Sequence, residues 1–517
     1  MSKSIPLFDA SKLSAFERVM ITLAVMAATV MQVLDTTIAS VALPYMAGDL
    51  GASPDQISWV LTSYLVASAI IMPLTGYFTD KFGQREYLML SIGLFVLSSA
   101  LCGLSANLPQ IVGFRLLQGV AGAALVPLSQ AIMVQVFPPD QRGKAMAIWG
   151  IGVMVGPILG PTIGGWITET FNWRWTFYIN LPVGLLALFV VGRFAPRIPR
   201  KTGRTMDWWG FALLGLSIGG LQYVLDRGNQ DNWFSSSTIV TAAIISVVAL
   251  VFFIWLSFVP NRKPVFSLEI FRDRNFTLAN GVMLLMGLGM FGAIFVQPLM
   301  LEQEMGYPVM TTGMALAPRG IASMVAMMIV GRIIGKVDIR LIIITGIALS
   351  LVGSWGMMQY NLDINTWQII WPLLFQGAGI GMIFVPLSTA AFSTLAPHFA
   401  AEAAGIYSLV RTVGSSIGIS LVATLVSRHA QVAWNQLGGG ITIENPLVWQ
   451  YLAPLHLTPQ SPQGAAILAN VLSQQSNMLS YHDAFVLIFA SFLFMIPVAF
   501  ALKSGQKKNV TPSIAAE

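Results

Sequence analysis

The sequence predicts an all-α integral membrane protein with fourteen transmembrane helices and both termini in the cytoplasm. Of its 517 residues, 55% are hydrophobic and only 10% are charged, whereas about a quarter of the residues of a soluble protein are charged. Uncharged apolar runs of about 18–25 residues recur along the chain, and a helix of this length crosses a bilayer. Helices are required because lipid offers no water to unpaired backbone groups.

The predicted spans are the apolar runs between charged residues. They cover residues 17–43, 56–78, 87–105, 110–136, 145–167, 176–194, 207–226, 238–259, 277–300, 312–333, 341–360, 368–390, 403–425 and 484–502. No cleavage site of small residues follows the first run, so we expect it to be a retained span and not a signal peptide. The single cysteine, Cys102, excludes an intrachain disulfide.

The basic residues determine the predicted orientation. With the N-terminus inside, 22 of the 28 Lys and Arg residues fall in cytoplasmic segments, three fall outside and three fall within spans. Short cytoplasmic loops of membrane proteins carry this excess of positive charge. The net charge of +6 is therefore a topology signal, and it does not indicate nucleic acid as a partner.

The chain contains an internal duplication. The segment "GYFTDKFGQR" (76–85) is similar to "GRIIGKVDIR" (331–340), and "QGVAGAALVPLS" (118–129) is similar to "QGAGIGMIFVPLS" (376–388). Both pairs, about 255–258 residues apart, map spans of the first half onto spans of the second half in the same order. Such a parallel repeat of six-helix units is found in transporters whose halves rock around a midplane site.

The duplication divides the chain into three parts. We predict an N-terminal six-helix bundle at 1–195, a two-helix insert with cytoplasmic linkers at 196–276, and a C-terminal six-helix bundle at 277–517. The last part includes a long periplasmic loop at 426–483. Apolar residues at helical spacing predict a short amphipathic helix at 462–479 within this loop, and it either docks a partner or caps the mouth of the protein.

The loop after the second span resembles the signature G-x-x-x-D-R-x-G-R-[RK] of the major facilitator superfamily. Gly76 and Gly83 allow a tight reversal of the chain, and Asp80 with Lys81 and Arg85 supplies ion pairs between helix ends. Because such pairs form and break, we expect a cytoplasmic gating loop that stabilises one of two packings. The alternative is a charged turn that only anchors the topology.

The fifth span carries "GIGVMVGPILGPTIGGW" (150–166), in which glycines recur every fourth residue and two prolines lie beside them. The glycine stripe lets another helix approach closely, and the prolines remove backbone hydrogen bonds and bend the helix. The pattern resembles the antiporter motif of drug:proton exchangers, although tight packing alone is the alternative. The motif residues are Gly152, Gly156, Pro157, Gly160, Pro161, Gly164 and Gly165.

One carboxylate, Asp35, is the only acid in the interior of the spans as predicted. At 1.5 Å per residue it lies about 13 Å below Pro44, and Arg115 lies about 9 Å below the outer end of the fourth span. A charge in mid-membrane costs about 2.5–3.5 kcal/mol, so unpaired ones persist for function. We therefore predict that Asp35 and Arg115 form a proton-coupling pair, with a permanent structural salt bridge as the alternative.

The energy source is predicted by elimination. No P-loop G-x-x-x-x-G-K-[ST] occurs, so ATP is not expected to drive transport directly. All four histidines fall in loops or at span ends and lack the spacing of metal ligands. We expect no metal and no cofactor, with a proton gradient acting through Asp35.

Transporters of this kind that export cationic dyes carry acids in the helices of the second half, whereas this chain has basic residues there. Arg319 and Arg411 lie within its spans, so one membrane-embedded acid stands against three arginines. This balance favours neutral or weakly acidic hydrophobic substrates, and both arginines are candidates to line the substrate cavity. The alternative is that they cap carbonyl groups at helix breaks.

Four further segments extend the resemblance over essentially the whole chain. "VLDTTIASVALP" (33–44), "WRWTFYINLPVG" (173–184), "LDRGNQDNWF" (225–234) and "SYHDAF" (480–485) resemble the fourteen-span drug:proton antiporter branch of the EmrB/QacA type. The resemblance implies a major facilitator fold and multidrug efflux, hence antibiotic resistance, by alternating access across a bacterial inner membrane. It also implies a periplasmic membrane-fusion adaptor of the EmrA type and an outer-membrane channel as partners.

Two other classes of function compete with efflux. A proton-coupled uptake symporter for a metabolite would have the same fold, and the glycine–proline motif of the fifth span argues against it. A membrane-embedded enzyme would need a loop platform for its catalytic groups, yet the predicted cytoplasmic loops hold only about 5–17 residues. The sequence therefore predicts a transporter and not an enzyme.

Overall fold

The computed structural model describes residues 13–138, 141–197, 206–259, 264–396 and 399–502. Within these ranges fourteen helices are long and apolar enough to cross a membrane, as predicted. They are α1 Ala15–Leu50, α2 Trp59–Phe82, α3 Gln84–Leu104, α4 Leu108–Val136, α5 Arg142–Thr170, α6 Trp175–Phe194, α7 Trp208–Arg227, α8 Ser237–Ser257, α9 Arg274–Glu304, α10 Met310–Ile333, α11 Ile339–Met357, α12 Thr366–Ser393, α13 Ala400–Gly438 and α14 Pro462–Ala501. Both chain termini and most of the linkers around α7–α8 lie outside the described residues.

The ends of α1 follow from local sequence signals. Ser14 and Glu17 form a capping box, in which each side chain satisfies a backbone N–H of the other residue. The helix ends at Gly51, whose φ of 62° is the left-handed conformation that glycine adopts without a Cβ penalty. Pro44 lies inside the helix, so α1 continues past the predicted end at residue 43.

The two halves pack in the same pattern. In the first half α1 contacts α5 and α6, while α4 lies against α2 and α3. In the second half α9 contacts α13 and α14, while α12 lies against α10 and α11. This correspondence confirms two parallel six-helix bundles. The insert forms a hairpin in which α8 packs mainly on α7 and leaves most of its apolar side chains exposed.

The halves meet along two seams. Along the first, α5 contacts α10. Along the second, α2 and α13 touch near the cytoplasm, where Gly405 lies against the Met72 carbonyl group. Towards the outer side of this seam α7 bonds to both helices: Asp226 accepts a hydrogen bond from Thr62 of α2, and Gln222 donates to Ser416 of α13 at 2.8 Å.

The outer segment between the last two helices differs from the predicted loop. α13 extends to Gly438 and α14 begins at Pro462, so most of 426–483 is helical, and a short helix, Pro446–Leu452, lies between them. The predicted short helix at 462–479 is the first part of α14. The prediction ended each span where its apolar run ended, but neither glycine nor proline interrupts residues 465–496, so the helix continues.

Helix α9 also exceeds its predicted span. It continues beyond residue 300 through a π-helical turn, Met300–Glu304, which adds Glu302 and Glu304 to its last turn. The Glu304 carboxylate accepts a hydrogen bond from Asn477 of α14 at 3.0 Å. The prediction that Asp35 is the sole acid therefore holds only for the spans as drawn, because hydropathy locates the lipid phase and not the end of a helix.

Candidate functional site

Asp35 and Arg115 are in direct contact inside the first half. Arg115 Nη1 lies 2.5 Å from Asp35 Oδ2, and both side chains are completely buried. The other carboxylate oxygen, Oδ1, accepts hydrogen bonds from Gln118 Nε2 at 2.9 Å and Asn180 Nδ2 at 2.8 Å. The structure thus brings the two predicted partners together and adds two amide donors.

Arg115 is held by groups from several helices. Its Nε donates to the Val60 carbonyl group of α2 at 2.9 Å, and its Nη1 also donates to Gln118 Oε1 at 2.8 Å. The guanidinium group lies 4.3 Å from the centre of the Tyr64 ring, which adds a cation–π contact. The pair therefore connects α1, α2 and α4.

The arrangement matches the ionised form of Asp35. A carboxylate only accepts hydrogen bonds, and this one receives three from Arg115, Gln118 and Asn180. Removing one partner of such a buried pair leaves an uncompensated charge, which costs about 3–5 kcal/mol. Sequence reasoning missed Asn180, although an uncharged polar residue inside the sixth span was a usable signal.

The glycine stripe of α5 packs on α1, the helix that carries Asp35. A Cβ atom at Gly156 would collide with Val33, and one at Gly160 would collide with Thr37. Thr37 Oγ1 also donates to the Gly156 carbonyl group at 3.1 Å. Gly152 and Gly164 similarly face α1. These contacts sit on both sides of Asp35 along α1.

The opposite face of α5 contacts the other half. Ile158 fills the space beside Gly320 of α10, and Thr162 lies beside Gly313 of the same helix. α5 runs unbroken through Pro157 and Pro161, and the Gly165 carbonyl group accepts a hydrogen bond from Thr168 at 3.0 Å. α5 therefore contacts both the Asp35 helix and the second half.

A small cavity lies between the two halves. Its volume is about 40 Å³, which is far below the roughly 300–1,000 Å³ of a drug-binding pocket. Its wall combines α1, α5, α9, α12 and α13, and is mostly apolar. The lining includes Val33, Pro157, Met283, Met286, Phe384 and Arg411. In this conformation the cavity is contracted.

The two predicted cavity arginines have different surroundings. Arg411 lines the cavity, and within the described part of the chain its guanidinium group has no hydrogen-bond or ion-pair partner. Arg319 is not among the lining residues, and its Nη1 donates to Gln297 Oε1 of α9 at 2.6 Å. The alternative of carbonyl capping does not match this Arg319 bond, because its acceptor is a side-chain amide.

The predicted gating loop lies at the cytoplasmic contact between the halves. Gly76 packs against Glu402 at the start of α13, and Gly83 ends α2 with a φ of 92°. Arg85 donates to the Gly192 carbonyl group of α6, so this bond stays within the first half. Lys81 lies 5.7 Å from the ring centre of Tyr77. Asp80 precedes Gly83 in the last turn of α2.

The outer ends of α13 and α14 form a separate feature. His429 and Asp483 join the two helices at 2.7 Å, and an apolar groove beyond them is bordered by Trp434, Val448 and Leu468. Among the described residues no group of three or more His, Cys, Asp or Glu side chains is arranged to hold a metal ion.

Comparison with known proteins identifies the family. The Major Facilitator Superfamily profile matches residues 25–419. The chain belongs to the Major Facilitator Superfamily. The fatty acid resistance protein FarB of Neisseria gonorrhoeae is 34% identical over 93% of this chain and 96% of its own length. The multidrug export protein EmrB of Escherichia coli K12 is 34% identical over 95% of this chain and 96% of its own length.

A solved structure of the Major Facilitator Superfamily shares the fold. The proton:xylose symporter XylE superposes with a TM-score of 0.59 over 93% of this chain and 96% of XylE, at 15% sequence identity. The predicted family and fold class are confirmed. Membership of this superfamily makes the protein a multi-pass membrane protein of a transporter family.

Proposed function

We propose that the protein is a proton-coupled multidrug efflux transporter of a bacterial inner membrane. It exports hydrophobic, neutral or weakly acidic toxic compounds by alternating access. The observation that carries the proposal is the buried Asp35–Arg115 pair, on the helix against which the α5 glycine stripe packs. The names of FarB and EmrB, which describe resistance and multidrug export, support the direction of transport.

Coupling follows from what the pair and α5 contact. An ionised Asp35 binds Arg115, Gln118 and Asn180, whereas a protonated one is neutral and loses its attraction for the guanidinium group. The change alters the packing of α1 against its neighbours, and α5 transmits it to α10 of the other half. Proton and substrate are thereby coupled if they favour different arrangements of the same two halves.

The cavity wall supports the substrate class. Met154, Met283, Met286 and Met290 supply flexible, polarisable side chains that fit apolar groups of different shapes. Arg411 adds a positive charge that attracts an anionic group and repels a cation. A lipophilic weak acid therefore suits the cavity, and a polycation does not.

A proton-coupled uptake symporter is the alternative, and the fold does not exclude it because XylE is a symporter. The α5 motif and its contacts with α1 favour export. Substrate accumulation in inside-out membrane vesicles that respire would support export. Substrate accumulation in right-side-out vesicles would favour the symporter.

The decisive experiment uses purified protein in proteoliposomes with an imposed pH difference. We expect concentrative transport of a lipophilic weak acid by the wild type and none by Asp35→Asn. Exchange of labelled for unlabelled substrate should persist in the variant, because exchange needs no net proton movement. A matched control is Asp49→Asn, since Asp49 lies on the same helix but is half-exposed and pairs with Arg174 at the surface.

Two results would contradict the proposal. The coupling role of Asp35 fails if Asp35→Asn still concentrates the substrate when only a pH difference is supplied. The substrate class fails if a divalent cation is transported as well as the weak acid.

The proposal includes partners outside the membrane. The outer ends of α13 and α14, with the groove beside Trp434, are the surface that would contact a periplasmic membrane-fusion adaptor of the EmrA type and, through it, an outer-membrane channel. The family resemblance supports this assembly. Removal of residues 439–461 should then abolish resistance in cells and leave proteoliposome transport intact. Loss of both activities would indicate that the segment only caps the mouth of the protein.

A further inference from the structure

Helix α4 carries polar contacts at four-residue intervals below Asp35. Gln118 bonds to the Asp35 carboxylate. One turn nearer the cytoplasm, a Cβ at Gly122 would lie 2.9 Å from the Tyr64 hydroxyl group, which is buried beside Gln32 of α1. Residues four apart on a helix share a face, so Gln118 and Gly122 lie on one side of α4, before a turn at residues 123–124 that separates its two helical segments.

Two further positions of α4, Val126 and Ser129, contact α1. The Val126 N–H donates to Gln32 Oε1 of α1 at 3.0 Å. Ser129 Oγ donates to the Val25 carbonyl group of α1 at 3.0 Å, so this side of α4 faces α1. Gln130 lies on the same side as Val126, since four residues turn a helix by about 400°.

Gln130 is the least explained residue of the column. Its side chain is completely buried, yet within the described part of the chain neither Nε2 nor Oε1 has a hydrogen-bond partner. Buried amides without partners are rare in folded proteins because they lose their bonds to water and gain none. A buried glutamine without partners at this position therefore points to a function that an apolar side chain would not serve.

The duplicated half keeps only part of the column, since Gln376 and Ser388 correspond to Gln118 and Ser129. Its equivalents of Gln32, Asp35 and Gln130 are Met286, Gly289 and Thr389. The hydroxyl group of Thr389 is satisfied within its own helix, because it donates to the Val385 carbonyl group at 2.8 Å. The part of the column formed by Gln32, Asp35 and Gln130 is thus not repeated in the second half.

We propose that Gln130 is a positioning residue for a water-bridged proton route between Asp35 and the cytoplasm. This rests on the proposed function. Groups one turn apart are separated by about 5.4 Å, and a water molecule with two hydrogen bonds of about 2.8 Å spans that distance. From Gln130 six residues, or about 9 Å, remain to the cytoplasmic end of α4.

The proton balance of the route is simple. The Asp35 carboxyl group releases its proton to a water molecule, and each later acceptor passes on another proton along the hydrogen bonds. The Tyr64 hydroxyl group both donates and accepts. The Gln130 amide takes no proton itself; its oxygen accepts from one water molecule and its NH₂ group donates to another. Asp35, Arg115, Tyr64 and Cys102 are titratable groups that face the upper end of this column.

The test compares Gln130→Leu with Gln130→Ser, because a proton route and a packing role predict opposite orders of the transport rates of these two variants. Leucine fills the space without polar atoms, whereas serine leaves room and a hydroxyl group for water. We expect Gln130→Leu to slow transport driven by a pH difference about tenfold, a modest effect for a misplaced proton-transfer group, and Gln130→Ser to stay close to wild type. Substrate exchange without net proton movement should be unchanged in both.

The reverse order, with serine slower than leucine, would show that Gln130 only fills space, and equal rates in all three proteins would also overturn the route. Thr389→Val at the equivalent position of the second half is the control and should have no effect. If Gln130→Leu also loses substrate exchange, the route is tested with Tyr64→Phe instead. This variant removes one hydroxyl group only, so it should slow pH-driven transport and leave substrate exchange unchanged. Absence of coupling in the wild type would refute the proposed function, whereas normal coupling in Gln130→Leu would refute the route alone.

Discussion

The Asp35 carboxylate is stabilised by donors that come from two other helices. Arg115 and Gln118 belong to α4, and Asn180 belongs to α6 and also donates to Ser99 of α3 at 3.0 Å. Hydrogen bonds to a charged group contribute about 1.5–3 kcal/mol, whereas neutral ones contribute about 0.5–1.5 kcal/mol. Asn180 is therefore expected to matter mainly when Asp35 is ionised.

Replacement of Asn180 by alanine should lower the thermal unfolding midpoint of the purified protein more than Ser99→Ala does. The former removes a bond to a buried charge, whereas the latter removes only neutral bonds, one from the Asn180 amide and one to the Phe177 carbonyl group. In the Asp35→Asn background the Asn180→Ala effect should shrink to the size of a neutral bond, which a double-mutant cycle measures. An unchanged effect in that background would mean that Asn180 acts on packing and not on the charge.

At the level of helices, α5 has two faces with different tasks. Its glycines let α1 approach closely, and its larger side chains fill spaces beside the glycines of α10. Small residues are needed because helix association within lipid depends on close packing. The spacing between α5 and α1 therefore determines how tightly the Asp35 helix follows any movement of the second half.

Gly160→Ala should impair transport and lower the unfolding midpoint, since its new methyl group collides with Thr37 of α1. Overpacking of this kind costs about 1–3 kcal/mol. Gly93→Ala in α3 is the matched control, because no atom lies within 4 Å of a Cβ at that position. Transport at the wild-type rate by Gly160→Ala would disprove the need for close contact between α1 and α5.

Across the whole molecule, the two halves touch along the α5–α10 seam from its cytoplasmic end to the outer contact of Thr162 with Gly313, and α7 connects them at the other seam. Gly143 lies against Ile334 and Gly331 against Ala147 at the cytoplasmic end of the α5–α10 seam. At the other seam, the indole of Trp233, just beyond α7, donates to Thr424 of α13 at 3.1 Å. Rocking of the halves must open the cytoplasmic contacts before the contracted cavity can take a substrate from that side.

A disulfide between cysteines at Ala147 and Gly331 should therefore stop transport, in a protein whose own Cys102 is replaced by serine. A Cβ at Gly331 would lie 2.8 Å from the Ala147 Cβ, so a slight separation of the two helices brings the pair to the roughly 3.5–4.5 Å between the Cβ atoms of a disulfide. The control pair is Gly220 and Ser246, which are equally close but lie within the α7–α8 insert. Reductant should restore transport by the first pair, and inhibition by the control pair alone would contradict rocking at this seam.

Features that depend on the bilayer and on the local chain could be predicted from the amino-acid sequence. The number of spans, their approximate positions and the parallel repeat follow from hydropathy, charge and self-similarity, because each is a property of a short segment in lipid or water. The importance of Asp35 could be predicted for the same reason, since an acid in an apolar run is costly wherever its partner lies.

The side chains that meet in space could not be predicted before the helices were packed together. Asn180 and Tyr64 join the Asp35 site through contacts between helices that are far apart in the chain, and Arg319 lies outside the cavity that Arg411 lines. The outer extensions of α13 and α14 could also not be predicted from hydropathy, since a helix satisfies its own backbone hydrogen bonds in water as well as in lipid. Hydropathy indicates whether a segment lies in lipid or in water, whereas the packing of one helix against another determines which side chains are in contact.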